Sequence, residues 1–256
     1  MLFVISPSKT QTTQAPIQGR YSLPLFPEQT EQLVHLLRGL SEDALADLMK
    51  MSARLAAINY QRYQKMQFPF TPANSHQALF MFQGEQFNPL AVHEYSDRQL
   101  DHAQQHLAVL SGLYGLIRAL DLIQPYRLEM GIKLAVGQAK NLYQFWSQLV
   151  TRAINNRLQD DPQPLLVNLA SAEYYKVVAR KDLQVPVLTL SFKQNKGGKL
   201  KTIAIYAKRA RGAMVHYMIS EQIVQPEDLQ AFTADGYGFA ADLSTEQEWV
   251  FVRTLD

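Results

Sequence analysis

Residues 106–131, HLAVLSGLYGLIRALDLIQPYRLEMG, constrain the fold more than any other stretch of the chain. Leu107, Val109, Leu110, Leu113, Leu116, Ile117, Leu120, Leu122 and Ile123 demand burial, while Gly112, Gly115 and Pro125 demand turns. Arg118, Asp121, Arg127 and Glu129 carry charge into the same segment. A segment that is at once buried, sharply turned and charged is a site or the scaffold of one.

Its local organisation is read as follows. Ser96 and Gln99 have capping-box spacing. Leu100, Ala103, His106, Leu107 and Leu110 continue as an i, i+3, i+4 stripe, which predicts a helix from Ser96 to near Gly112. Gly112 and Gly115 then turn the chain. Gly115–Arg118 starts a second short helix, Pro125 ends it, and Tyr126–Met130 is extended. Two short helices about a Gly-x-x-Gly bend have the shape of a helix-hairpin-helix, in which bend amides approach a phosphate backbone. The same pattern also suits an ordinary helix–turn–helix corner of a core.

Charge is the sharpest feature elsewhere. Between Tyr174 and Ser220 there are ten bases and one acid, Asp182, so this segment carries +9 and leaves −7 on the rest of a chain whose total is +2. Lys199 and Lys201 alternate on one face of a strand, and Lys193 can join them across the hairpin. Lys208 and Arg211 share a face at a predicted helix N-terminus, where each cation opposes the helix dipole by about 0.3–1 kcal/mol. Gly212 beside them lets a backbone or ligand come close. Together they suggest a phosphate site, or else a solvated basic face. Nucleic acid fits such a segment, because each phosphate neutralised releases counterions. No zinc-finger, homeodomain or RNA-recognition motif is present, so shape-selective rather than base-specific binding is expected.

The 256 residues suit one large domain, 1–256, and no composition shift marks a boundary. Apolar Leu2–Ile5, Ala78–Phe82, Leu165–Leu169, Val185–Phe192, Leu200–Tyr206, Gly236–Ala240 and Trp249–Arg253 read as strands. Asn195–Gly198 gives a hairpin signal. Helices are expected from Pro27, Ser41, Ser52 and Asn141, and over Ala207–Ile223; the polar stretch 11–27 reads as a surface loop. The fold class is mixed α/β, with a central mixed sheet and surrounding helices. No run reaches the ~18 apolar residues of a membrane span, and the N-terminus lacks a basic signal region. A cytoplasmic monomer is the default expectation. With no cysteine, thiol peroxidase chemistry, zinc–thiolate sites and iron–sulfur clusters are excluded, and no cofactor is implied.

Two smaller constellations stand out. Asn168, Ser171 and Glu173 follow one strand, and Ser6 and Lys9 follow another; together they could line one pocket, with Glu173 as a base. Ser171 and Glu173 could instead simply cap a helix, but Asn168, inside an apolar strand, needs a buried partner. His102 and His106 have the i, i+4 spacing of a metal pair, although no carboxylate follows the first histidine as in a zinc-hydrolase helix. Arg127 could reach a phosphate or pair with Glu129, and Arg118 could pair with Asp121.

The run Leu110–Gly131 resembles the signature of the YaaA family, also called UPF0246. Ile5–Thr10 (ISPSKT), Asn168–Ser171 with Glu173 and Tyr174, and Tyr206–Gly212 (YAKRARG) resemble further blocks of that family, in its order. Ala119 departs from the family pattern, which has proline there. The resemblance implies peroxide-stress protection, reduced iron-dependent damage, a single mixed domain with a basic cleft, and double-stranded DNA as partner. It implies no reaction. The nucleic-acid set is then Lys9, Gly112, Gly115, Arg127, Lys176, Lys208, Arg209 and Arg211. The rival readings are an enzyme acting on a nucleotide or nucleic-acid base at Ser6, Lys9, Asn168, Ser171 and Glu173, and iron binding through His102, His106 and carboxylates.

Overall fold

Four apolar residues in a row, buried on both sides, form β1 (Leu2–Ile5). In the computed structural model, which describes residues 1–14, 17 and 19–255, β1 lies inside the main sheet. It runs parallel to β3 (Leu107–Ser111) on one side and to β6 (Leu166–Asn168) on the other. Outward from β3 comes antiparallel β4 (Gly115–Arg118). Outward from β6 come parallel β7 (Val187–Lys196) and β10 (Glu248–Leu255), and then antiparallel β9 (Gly238–Phe239). The short β8 (Lys199–Lys201) pairs with the end of β7. Among the described residues this makes eight strands; β2 (His76–Gln77) and β5 (Leu122–Ile123) form a separate pair.

Helices surround the sheet. Three come before β2: α1 (Pro27–Arg38), α2 (Glu42–Met49) and α3 (Ala53–Lys65), with Ser41 and Ser52 capping the last two as their sequences predict. A single turn, α4 (Ala78–Met81), follows β2. The helix α5 (Asp97–His106) opens with the predicted capping box and packs on β1 and β3. The helix α6 (Leu142–Leu158), capped by Asn141, packs on β1 and β4. The short α7 (Ala172–Tyr175) leads out of β6, and α8 (Ala204–Ser220) packs on β7 and α5. The mixed α/β class is therefore as read from the sequence.

Four local expectations are corrected. The predicted helix ends at His106, and Leu107 turns directly into a strand, with φ −120° and ψ 135°. An apolar run buried on both faces carries a helical stripe and a strand equally well, so periodicity could not separate them. Gly112 and Gly115 consequently bend a β-hairpin, not a pair of helices. Within the described residues a short helix–turn–helix does occur, at α2–α3 around Lys50, which is left-handed at φ 48°. Ala78–Met81 is helical rather than extended. Leu200–Tyr206 is strand only to Lys201, since α8 begins three residues early, where Gln194 Oε1 accepts from Ile203 N at 2.8 Å.

Candidate functional site at the carboxyl edge of the sheet

The order of the strands places a crevice. The chain goes from β1 to β3 on one side and later to β6 on the other, so the connections leaving β1 and β6 diverge at the carboxyl end of β1. Open α/β sheets bind ligands at such a point. The residues that leave these two strands are the ones the sequence singled out.

Ser6 and Ser171 meet there. Ser171 N donates to Ser6 Oγ at 2.9 Å, and the two hydroxyls lie 3.3 Å apart. Ser171 stands at the N-cap position of α7 but makes no side-chain cap bond, so the capping expectation gives way to this cross-strand contact. Asn168 is 6% exposed and finds its partners nearby: Oδ1 accepts from Ala170 N at 3.0 Å, and Nδ2 donates to Thr189 Oγ1 at 3.4 Å. Glu173 does not cap either; its Oε1 accepts from Gly131 N at 3.1 Å.

The charged part is centred on Glu129, which is 8% exposed. Its Oε1 receives Lys9 Nζ at 2.8 Å and Arg127 Nη2 at 3.1 Å, while its Oε2 is buried without a partner among the described residues. Burial alone would raise this carboxyl, but the Lys9 hydrogen bond and the Arg127 charge outweigh it and hold the group below the usual carboxylate range. Burial pushes the neighbouring Tyr174 phenol up. Lys9, Arg127, Glu129 and Tyr174 line one small recess. Lys176, exposed, has its Nζ 5.0 Å from the centre of the Tyr143 ring, whose hydroxyl donates to Glu173 O.

Sequence reasoning missed Gln86. Its Nε2 donates to Ser6 O at 3.2 Å, and its backbone lies against Gly212 of α8. A Cβ on Gly212 would sit 1.9 Å from Gln86 O, so this glycine is explained by packing rather than by a phosphate. Nothing in the polar loop around Gln86 signals the contact.

The remaining expected residues separate into groups. Gly112 and Gly115 are buried and covered: a Cβ on the first would meet Leu128 O at 2.2 Å, and one on the second, at φ 71°, would meet the Trp146 ring at 2.7 Å. Neither can approach a nucleic acid. Lys208 is exposed, Arg209 is paired with Asp235 at 3.0 Å, and Arg211 is largely buried, with Nε unpartnered among the described residues. Burial lowers the Arg211 guanidinium. Because α8 starts at Ala204, Lys208 and Arg211 lie beyond its first turn, and the expected conflict with the helix dipole does not arise. His102 and His106 are neighbours, with ring centres 4.3 Å apart, but among the described residues no cluster of three or more His, Cys, Asp or Glu is placed to hold a metal.

Cations do gather on the β7–β8 hairpin. Gly197 and Gly198, at φ 58° and 77°, make a two-residue turn at which a Cβ on either glycine would meet nothing within 4 Å, so the tip stands in open space. Lys196 faces Lys199 directly across the ladder, and Lys201 shares their face two residues on. All three are exposed and form no ion pair among the described residues. No helix among those residues is long and apolar enough to cross a membrane.

Comparison with known proteins bears on the whole chain. The family model described as peroxide stress protein YaaA matches residues 1–243. A UPF0246 protein of Acaryochloris marina is 49% identical over 253 residues, covering 99% of this chain and 100% of that relative. UPF0246 proteins of Magnetococcus marinus and Verminephrobacter eiseniae are each 46% identical over 255 residues, covering 99% of this chain and 99% and 98% of theirs.

Proposed function

The chain belongs to the YaaA peroxide stress family, and on that premise we propose that it protects against peroxide by binding double-stranded DNA through the lysines of the β7–β8 hairpin, in the cytoplasm. The observation that carries this reading is the like-charged Lys196–Lys199 pair. Like charges directly opposite each other destabilise a hairpin, and a phosphate backbone laid along it relieves the repulsion. A two-stranded ribbon also fits a DNA groove. Lys176 and Lys208 are exposed as well. The link to iron is electrostatic: cations condensed on DNA, ferrous iron among them, are released when lysines neutralise the phosphates. Damage at the backbone falls accordingly, with no peroxide destroyed by the protein itself.

The test is duplex affinity against salt for the wild type and for a Lys196→Gln, Lys199→Gln, Lys201→Gln variant. If all three lysines contact phosphates, the salt slope drops by about 2.7. A wild-type slope near zero, or equal slopes in the two proteins, refutes the reading.

A second reading, an enzyme or sensor that takes a nucleotide or nucleic-acid base at the carboxyl edge, is favoured by the Ser6–Ser171 contact beside Lys9, Arg127 and the unpartnered Glu129 Oε2. There Lys9 and Arg127 would take a phosphate and Glu129 Oε2 would accept from an amino group. Thermal-shift titration with nucleotides, for wild type and Glu129→Gln, separates the two readings. Stabilisation of the wild type alone supports the recess, and no stabilisation by any nucleotide removes it.

A further inference from the structure

Away from both of these regions, near the amino ends of β1 and β3, lies a cavity of about 470 Å3, within the range of small-ligand sites. Its walls are apolar, formed by Leu25, Phe26, Leu107, Leu116 and Leu149. The segment that makes its outer wall is held in place. Ser22 Oγ donates to Asp121 Oδ1 at 2.6 Å, Gln104 Nε2 donates to Ser22 Oγ at 2.8 Å, and Arg118 Nη2 donates to Leu23 O at 2.8 Å. Leu23 and Leu25 nevertheless leave much of their side chains exposed, at 51% and 41%.

The polar part of the lining is one-signed. Among the described residues, Arg118, Arg152 and Arg157 line the cavity and no carboxylate does. Arg118 is balanced by Asp121, at 2.9 Å. Arg157 forms no ion pair among the described residues; its Nε and Nη2 donate to the Gln104 and Gln105 carbonyls at 2.8–3.2 Å, which leaves Nη1 without a hydrogen bond among those residues. Burial, and then the nearby Arg118 charge, lower the Arg157 guanidinium, so the two cations lie within electrostatic reach of each other. Arg152 is exposed and has neither an ion pair nor a hydrogen bond among the described residues.

We infer that this cavity binds a small amphipathic anion: an apolar body seated on Leu107, Leu116 and Leu149, with a carboxylate or other anionic head against Arg152 and Arg157. The walls supply the burial, and the head supplies the negative charge that the lining lacks. A planar guanidinium with free N–H groups is suited to a carboxylate. The ligand is a free monomer, since the groups that recognise the head line the cavity together with the apolar walls.

Calorimetry with octanoate, octan-1-ol, octylamine and acetate tests this, each below its aggregation limit. Octanoate should bind at least about tenfold more tightly than the alcohol or the amine, and acetate should give no heat. Arg152→Glu, at an exposed position, should weaken octanoate by about tenfold while leaving the unfolding midpoint in place. Ala153→Trp, which fills the cavity, should abolish binding. Equal affinity for octanoate and octanol, or octanoate binding unchanged by Arg152→Glu, overturns the inference. So does binding to anionic phosphatidylglycerol vesicles without binding of monomeric octanoate. DNA affinity is measured in parallel, and its failure leaves this result standing.

Discussion

Gly212→Ala decides whether that glycine exists for packing. In an exposed helix the change would add stability, about 1 kcal/mol from helix propensity. Here the new Cβ would lie 1.9 Å from Gln86 O and 2.8 Å from its carbonyl carbon. Both are backbone atoms, so no side chain can rotate out of the way, and α8 must move off the Gln86 loop. Overpacking of this kind costs about 1–3 kcal/mol, with rigid backbone neighbours putting it at the upper end. Breaking the Gln86–Ser6 hydrogen bond adds about 1 kcal/mol. After the propensity gain, the net loss is about 2–3 kcal/mol. At about 2–4 °C per kcal/mol for a chain of this size, the midpoint should fall by roughly 4–12 °C. Gly39→Ala is the control, since Gly39 has φ −74° and its nearest neighbour to a new Cβ is 3.5 Å away. It should be neutral or slightly stabilising. Thermal and urea unfolding, followed by circular dichroism, measure both. A Gly212→Ala protein as stable as Gly39→Ala refutes the packing account and returns the glycine to a ligand role.

Three further outcomes are expected. Trp146→Phe removes the 2.8 Å bond from Nε1 to Gly112 O beneath the β3–β4 hairpin and should cost about 1–3 kcal/mol in urea unfolding; no measurable loss would show that the hairpin does not depend on it. His102, pushed down to about 4 chiefly by burial and then by His106, is neutral when folded but protonates more readily when unfolded. Its contribution is full above the ordinary histidine range and falls as pH drops toward about 4, so His102 in the folded protein should titrate by NMR near that value; a midpoint at the ordinary value rules the burial out. Glu129, held below the usual range, should stabilise at neutral pH and lose that contribution under acid as it protonates. Glu129→Gln should therefore lower stability at pH 7 and narrow to no difference at acid pH, and an unchanged gap across the range counts against the Lys9–Glu129–Arg127 cluster.

The elements legible in the sequence were those with a local cause. Ser96 and Gln99 announce their capping box, Gly197 and Gly198 their hairpin, and Leu2–Ile5 a strand too apolar for any surface. The convergence of Ser6 with Ser171 was legible for a similar reason, because strands that end together deliver their loops together. The β3–β4 hairpin was not legible. Its alternatives have the same apolar content, and what selects the strand is pairing with β1, more than a hundred residues away. Gln86 was hidden for the same cause: it matters only through Gly212 and Ser6, neither of which is near it in the chain. The basic segment was visible as charge, but the division into a free hairpin, a paired Arg209 and a half-buried Arg211 depends on tertiary placement.

Of the described strands, β1 is made first and waits longest for its second neighbour. Leu2–Ile5 has no partner until Leu107–Val109 exists, and its second neighbour waits for Leu166–Asn168. At ordinary synthesis rates of roughly 5–20 residues per second, it leaves the ribosome many seconds before either edge can be covered. In that interval the early helices α1–α3 are the apolar shelter already made, and slow closure of long-range strand pairs is the expected barrier to folding. Translation speed through residues 107–168, rather than any contact within the first hundred, should thus set how much newly made chain is lost to aggregation.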